Sequence, residues 1–303
     1  MKGDEELGNI AAEADKILEE DPYDPIAMYI AWQAIEDDDE SVRQIDMLEE
    51  SVRAVKRVVD RNPDAMSEDA QFVYTSMLSD LAAYMYLSGS GEEAMEIAEE
   101  FKKYDVFCNI PGRLVFYATI IEKYDFNRVM RELELDKFED AVSQYCKAIA
   151  LYELDKKDVT DAFDALLNAV SMAPEMVFHI LGMCDDIEPE DFDEDEFGRN
   201  LGELRLIAAV MADLWSLEDD RLVFLGHVTF ALAYLTDRIT DEEEIKVLES
   251  SYDEIDILSA MNESRDKLRT WAQSGRSKSD IDEKAIQILR EMRDVGLFQE
   301  SLK

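Results

Sequence analysis

The stretch from Phe138 to Pro174, FEDAVSQYCKAIALYELDKKDVTDAFDALLNAVSMAP, leaves the chain few options. Val142, Tyr145, Ile149 and Tyr152 recur at the spacing of one helical face. After the polar turn Asp155 to Asp158, Ala162, Phe163, Leu166, Leu167, Ala169 and Val170 do so again. Each helix carries an apolar face that it cannot bury alone, and a turn this short folds the second helix back on the first. Proline ends the pair, because it removes an N–H donor and clashes with the preceding turn.

Similar punctuation runs through the first half of the chain. Gly8 to Glu20 reads as a helix with Ala14 and Ile17 inward, stopped at Pro22, and Pro25 opens another with Met28, Ala31, Trp32 and Ile35. Val42 to Arg61 follows, ended by Asn62-Pro63. Ser67 is an N-cap, and Phe72, Val73, Met77, Leu78, Leu81 and Met85 form the stripe behind it. Ser88 to Gly91 is a turn into a helix with Ala94, Ala98 and Phe101 inward. Pro111 starts a helix carrying Leu114, Val115, Ala118 and Ile121, with Tyr124 to Leu135 as its partner. After Pro174, a helix with Val177, Phe178, Leu181 and Met183 meets the run Asp185 to Glu196, where nine of twelve residues are acidic, and a solvated loop is expected there. Leu201 to Trp215, Asp219 to Thr236, Glu242 to Met261 and Ile281 to Val295 also read as helices, with a break expected within Asn262 to Ser279 near Gly275. Nothing alternates with the period of a strand, so the predicted class is all-α.

Ala162, Leu166, Ala169 and Pro174, following a helix of about 16 residues, resemble the second-helix signature of a tetratricopeptide repeat, whose period is about 34 residues. Ala94 and Ala98 hold the corresponding earlier positions, and Ala94 to Ala162 is 68 residues, twice that period. One repeat is therefore expected between them, with Arg128 where a small residue would be usual. The family's aromatic and glycine marks are mostly missing. The resemblance implies a right-handed superhelical solenoid of antiparallel helix pairs over residues 1–184. An acidic loop at 185–197 and irregular helices at 198–303, continuing the same array, complete the expected organisation. Family members mostly bind peptides or proteins in a concave groove lined by first helices. By register that groove takes in Ser76, Ser79, Ala83 and Tyr86 from one repeat and Gln144, Lys147, Leu151 and Leu154 from another. The basic, asparagine-rich clamp with which some members hold a C-terminal carboxylate is not evident.

Charge narrows the partners. The chain carries 72 acidic and 31 basic residues, a formal net charge of -41, which repels phosphate backbones and makes nucleic acid an unsuitable partner. A protein or peptide with a basic face fits better. The apolar run Leu222 to Leu235 is 14 residues, short of the roughly 20 that span a bilayer. The N-terminus lacks the basic start and apolar run of a signal peptide, and Cys108, Cys146 and Cys184 form no CxxC pair. A cytoplasmic protein away from membranes is expected.

Several patterns have a chemical and a structural reading. Gly89-Ser-Gly-Glu-Glu-Ala94 has the letters of a dinucleotide-binding turn, but helical residues precede it and Glu92 and Glu93 oppose an anion, so an interhelical turn is expected. Asp191, Asp193 and Asp195 alternate like the start of a calcium loop, yet Glu196 and Gly202 occupy the positions that need glycine and glutamate. His179 and His227, the only histidines, have no ligand partner at helical spacing. Arg53, Lys56, Arg57 and Arg61 form a basic stripe that acidic helices can pair. The expected function is a noncatalytic protein- or peptide-binding scaffold without metal or cofactor. The alternative is an α-helical enzyme with carboxylates in an acidic groove.

Overall fold

The computed structural model describes residues 12–20, 24–33, 41–61, 68–104, 110–182, 201–239, 246 and 255–294. Among them every regular element is helical. Residues 12–20 are helical, and α1 (Pro25–Gln33), α2 (Ser41–Arg61), α3 (Glu68–Leu87), α4 (Gly91–Tyr104), α5 (Ile110–Glu122), α6 (Phe126–Leu135) and α7 (Ala141–Leu154) follow. Then come α8 (Thr160–Met172), α9 (Met176–Ile180), α10 (Leu201–Ser216), α11 (Asp219–Leu235), α12 (Ile255–Ala272) and α13 (Lys278–Asp294). The acid run Asp185 to Glu196, with Asp191, Asp193 and Asp195, lies outside the described residues, as do Cys108 and Cys184.

Local chemistry fixes the helix ends. Asp140 starts α7 with a capping box, accepting the Ser143 N–H at 2.8 Å while its own N–H donates to Ser143 Oγ at 3.0 Å. Asp125 caps α6 by accepting the Arg128 N–H at 3.1 Å. Three helices end in the same pair of crossed bonds, with the residue after the helix in the left-handed region. At α3 the Ser90 N–H donates to Met85 O at 2.9 Å and the Gly89 N–H to Tyr86 O at 3.0 Å, with Gly89 at φ +84°. At α5 and α11 that residue is Tyr124 (φ +56°) and Asp237 (φ +60°), two side chains in a conformation that suits glycine.

The chain forms two compact units, Met1–Thr119 and Ile120–Lys303. In the first, α1 packs on α2, α2 on α3 and α3 on α4. Ala94, Ala98 and Phe101 are wholly buried, since small residues let neighbouring backbones approach. At the start of α5 the approach is closest. A Cβ on Gly112 would lie 3.0 Å from Ser79 Cα and 3.1 Å from the Phe101 ring.

In the second unit α6 packs on α7 and α7 on α8, and the sequence α9, α10, α11, α12, α13 is likewise packed in order. Three further contacts return: α13 meets α8 and α11, and α9 meets α11. In a linear array each helix pair touches only neighbouring pairs, so the contact of α13 with α8 is the one that departs from that pattern among the described residues. The boundaries expected at 184 and 197 lie outside the described residues, and the two compact units divide at Thr119, inside α5. Helical periodicity marks where helices lie, whereas the division depends on which distant helix each one meets. The break near Gly275 is present, but α12 runs on to Ala272, well past the expected end at Met261.

An aromatic ladder fills this second core. Tyr145 meets Trp215 edge-on at 6.4 Å, Trp215 stacks on Phe224 at 6.5 Å, and Phe224 stacks on Tyr152 at 4.8 Å. Burial pushes the Tyr145 hydroxyl far above its ordinary pKa, so it is neutral at any physiological pH. Arg221 is completely buried beside the ladder. Its guanidinium donates to Glu153 at 2.8 and 3.2 Å and to the Leu214 carbonyl at 2.9 Å, which satisfies a charge that would otherwise be costly to bury.

Candidate functional site

Helix α7 is covered on nearly every side. From Ala141 to Tyr152 only Lys147 and Leu151 keep solvent contact, and Leu154 is exposed. These three fall at i, i+4 and i+7, one face of a helix. Gln144 extends the same face but is buried, and its amide donates to Glu139 at 3.0 Å. The result is a narrow open stripe of one lysine and two leucines on an element otherwise locked in the core.

A longer stripe runs along α3. From Val73 to Leu87 the side chains that keep solvent contact are Val73, Ser76, Asp80, Tyr84 and Leu87, again one helical face. Asp80 accepts the Tyr29 hydroxyl of α1 at 2.7 Å. The register expected from the repeat pattern puts Ser79, Ala83 and Tyr86 on this open face together with Ser76. The structure keeps Ser76 half-buried and buries the other three. Ser79 Oγ accepts the Gly112 N–H at 2.8 Å, so Ser79 faces α5, whereas Asp80, one position on, keeps solvent contact. The stripes of α3 and α7 belong to different units.

Several charged groups pair with neighbours. Of the basic stripe on α2, Lys56 pairs with Glu100 of α4 at 2.8 Å and Arg53 with Glu49. Arg238 bridges Glu175 and Asp282, donating to the two oxygens of Asp282 at 2.7 and 2.9 Å. Lys278 reaches Glu175 at 2.8 Å. Asp237 accepts from Arg265 and Arg269 at 2.7 to 3.0 Å. Burial alone would raise the pKa of Glu175, but hydrogen bonds from Lys278 and Arg238 overcome it and hold the carboxyl below its usual range. At Asp237 burial is likewise overcome, by Arg269 and Arg265.

Gly89 sits in a turn between two helices, with α3 where a nucleotide fold needs a strand. His179 and His227 are half-buried, and burial lowers the His227 pKa. No group of three His, Cys, Asp or Glu among the described residues is placed to hold a metal ion. No helix among them is long and apolar enough to cross a membrane. No protein-family profile matches the chain, and no curated protein or solved structure matches it either.

Proposed function

We propose that this chain is a noncatalytic peptide-binding scaffold whose first half is built from tetratricopeptide-like helix pairs stacked as a right-handed superhelix. The observation that carries the binding reading is the open stripe Lys147, Leu151 and Leu154 on a helix whose other faces are packed. Rigid support holds such a stripe in place before a ligand arrives, which lowers the ordering cost of binding. Support for the helix pairs comes from Ala94 and Ala162, two repeat periods apart and both buried. Among the described residues, the carboxyls with a shifted pKa are all shifted downward. A general acid working near neutrality needs the opposite shift, so these groups suit ion pairing. The partner is a protein or peptide with a basic face, met in the cytoplasm, and charge of this sign accelerates its encounter with the chain.

A random peptide library selected against the full chain tests the proposal. Enriched peptides should be rich in Lys and Arg and should bind at least tenfold more weakly to a Leu151→Lys, Leu154→Lys double variant that melts like the wild type. Absence of enrichment, or equal affinity for the variant, overturns it.

A further inference from the structure

Tyr124 stands in the turn between α5 and α6 with its ring 57% exposed, and its backbone takes a left-handed conformation that glycine would adopt at lower cost. The ring is nevertheless fixed at two points. Its hydroxyl donates to Glu218 Oε1 at 2.6 Å, and Phe126 meets it at 5.9 Å with the planes at 85°. An exposed aromatic held in one orientation is an efficient binding anchor, because little side-chain entropy remains to be lost.

The surroundings state what kind of group fits. Glu122, Asp125, Glu218, Asp219 and Asp220 lie in or at the edges of the two turns joined by the Tyr124–Glu218 bond, against Lys123. Asp125 is engaged as the α6 cap and Asp220 with Lys156 at 2.7 Å. Arg221 also acts on Tyr124 but is paired with Glu153, so Glu122, Glu218 and Asp219 still outnumber Lys123, and Leu217, 39% exposed, adds apolar surface beside Glu218. A π face flanked by carboxylates attracts a cation. Among side chains the guanidinium matches both features best, being planar enough to stack flat on the ring while it donates along its edge to a carboxylate.

We propose that Tyr124, held by Glu218, anchors an arginine side chain of a bound peptide, with the guanidinium stacked on the ring and donating to the Glu218 carboxylate. This rests on the reading of the chain as a peptide binder and adds the residue type that it selects.

The test uses N-acetyl-arginine methylamide and its lysine counterpart, titrated into the full chain while backbone amide resonances are followed. The arginine probe should shift the Tyr124, Asp125 and Glu218 amides saturably, and the lysine probe should bind at least threefold more weakly. Tyr124→Gly removes the ring where the backbone favours glycine, so the fold is retained and the response should vanish. Tyr124→Phe, which keeps the ring and loses its tether, should fall between. No saturable shift with arginine, equal response to both probes, or an unchanged response in Tyr124→Gly overturns the anchor. If selection on the α7 stripe still yields binders in that case, only the anchor has failed; failure of both experiments removes the peptide-binding reading itself.

Discussion

At the scale of single residues, the positions that most constrain this fold are those where a side chain is absent or strained. Gly112 has Ser79 Cα and the Phe101 ring where its Cβ would be. Gly112→Val forces the α3, α4 and α5 backbones apart and should cost about 1–3 kcal/mol, the usual range for overpacking. A variant that melts within a degree of the wild type would show that α5 slides freely. Asp237 presents the opposite case, where left-handed strain is accepted because its carboxylate receives Arg265 and Arg269. Asp237→Asn keeps a residue that tolerates this backbone and removes the charge. It should destabilise by about 1 kcal/mol, discounted from a buried pair because the carboxylate is partly exposed. Asp237→Gly should lie closer to the wild type, since relief of strain offsets part of the lost pairing. Chemical denaturation of both variants checks the order; a glycine variant less stable than the asparagine one would mean that the strain is slight.

At the scale of helices, the two elements on which the sequence reading rested are found as written. Tyr145, Ile149, Phe163 and Leu166 are buried in α7 and α8, as their spacing along one helical face asks. The facing of α3 was less legible. That helix is apolar almost all round, so its period does not say which side stays open, and the decisive fact is the distant Gly112 N–H that Ser79 accepts. The acid run fell outside the described residues, and Tyr124 has no sequence signal beyond an aromatic where glycine is usual. In the C-terminal helix, Ile281, Ala285, Ile288, Leu289 and Met292 fall along one helical face by spacing; Ala285, Leu289 and Met292 are buried, whereas Ile286 is buried and Ile288 only half-buried. Its docking is assisted by Arg290 to Asn168 at 2.8 Å, Arg293 to Asp164, and Arg238 to Asp282. Glu175, which joins Arg238 and Lys278, binds its proton less readily than an unfolded glutamate. It therefore stabilises the fold fully above the unfolded pKa of about 4.3 and loses that contribution as pH falls through the lower folded value. Melting temperature should drop between pH 5 and pH 2, and less steeply in Glu175→Gln. Parallel pH profiles for the two proteins would show that α13 is held by its apolar face alone.

For the molecule as a whole, the question is which electrostatic effect dominates. The ion pairs favour folding and weaken with salt, while a net charge of -41 opposes compaction and is relieved by salt. Residues 264–303 hold nine basic and seven acidic residues, so the remaining residues carry -43. Exposed pairs such as Lys267 with Glu263, both about 71% exposed, are worth little in any solvent. The better buried ones, Arg221 with Glu153 and Arg238 with Asp282, are reached poorly by mobile ions. Salt thus removes repulsion spread over the surface and leaves the stronger attractions nearly intact. Raising sodium chloride from about 0.01 M to about 1 M shortens the screening length from roughly 30 Å to roughly 3 Å, and the melting temperature should climb by several degrees, most of it below about 0.2 M, where screening changes fastest relative to the spacing of surface carboxylates. An equal rise with guanidinium-free salts of different anions would identify screening as the cause. A melting temperature that falls steadily with salt would instead assign the stability of this chain to its exposed ion pairs.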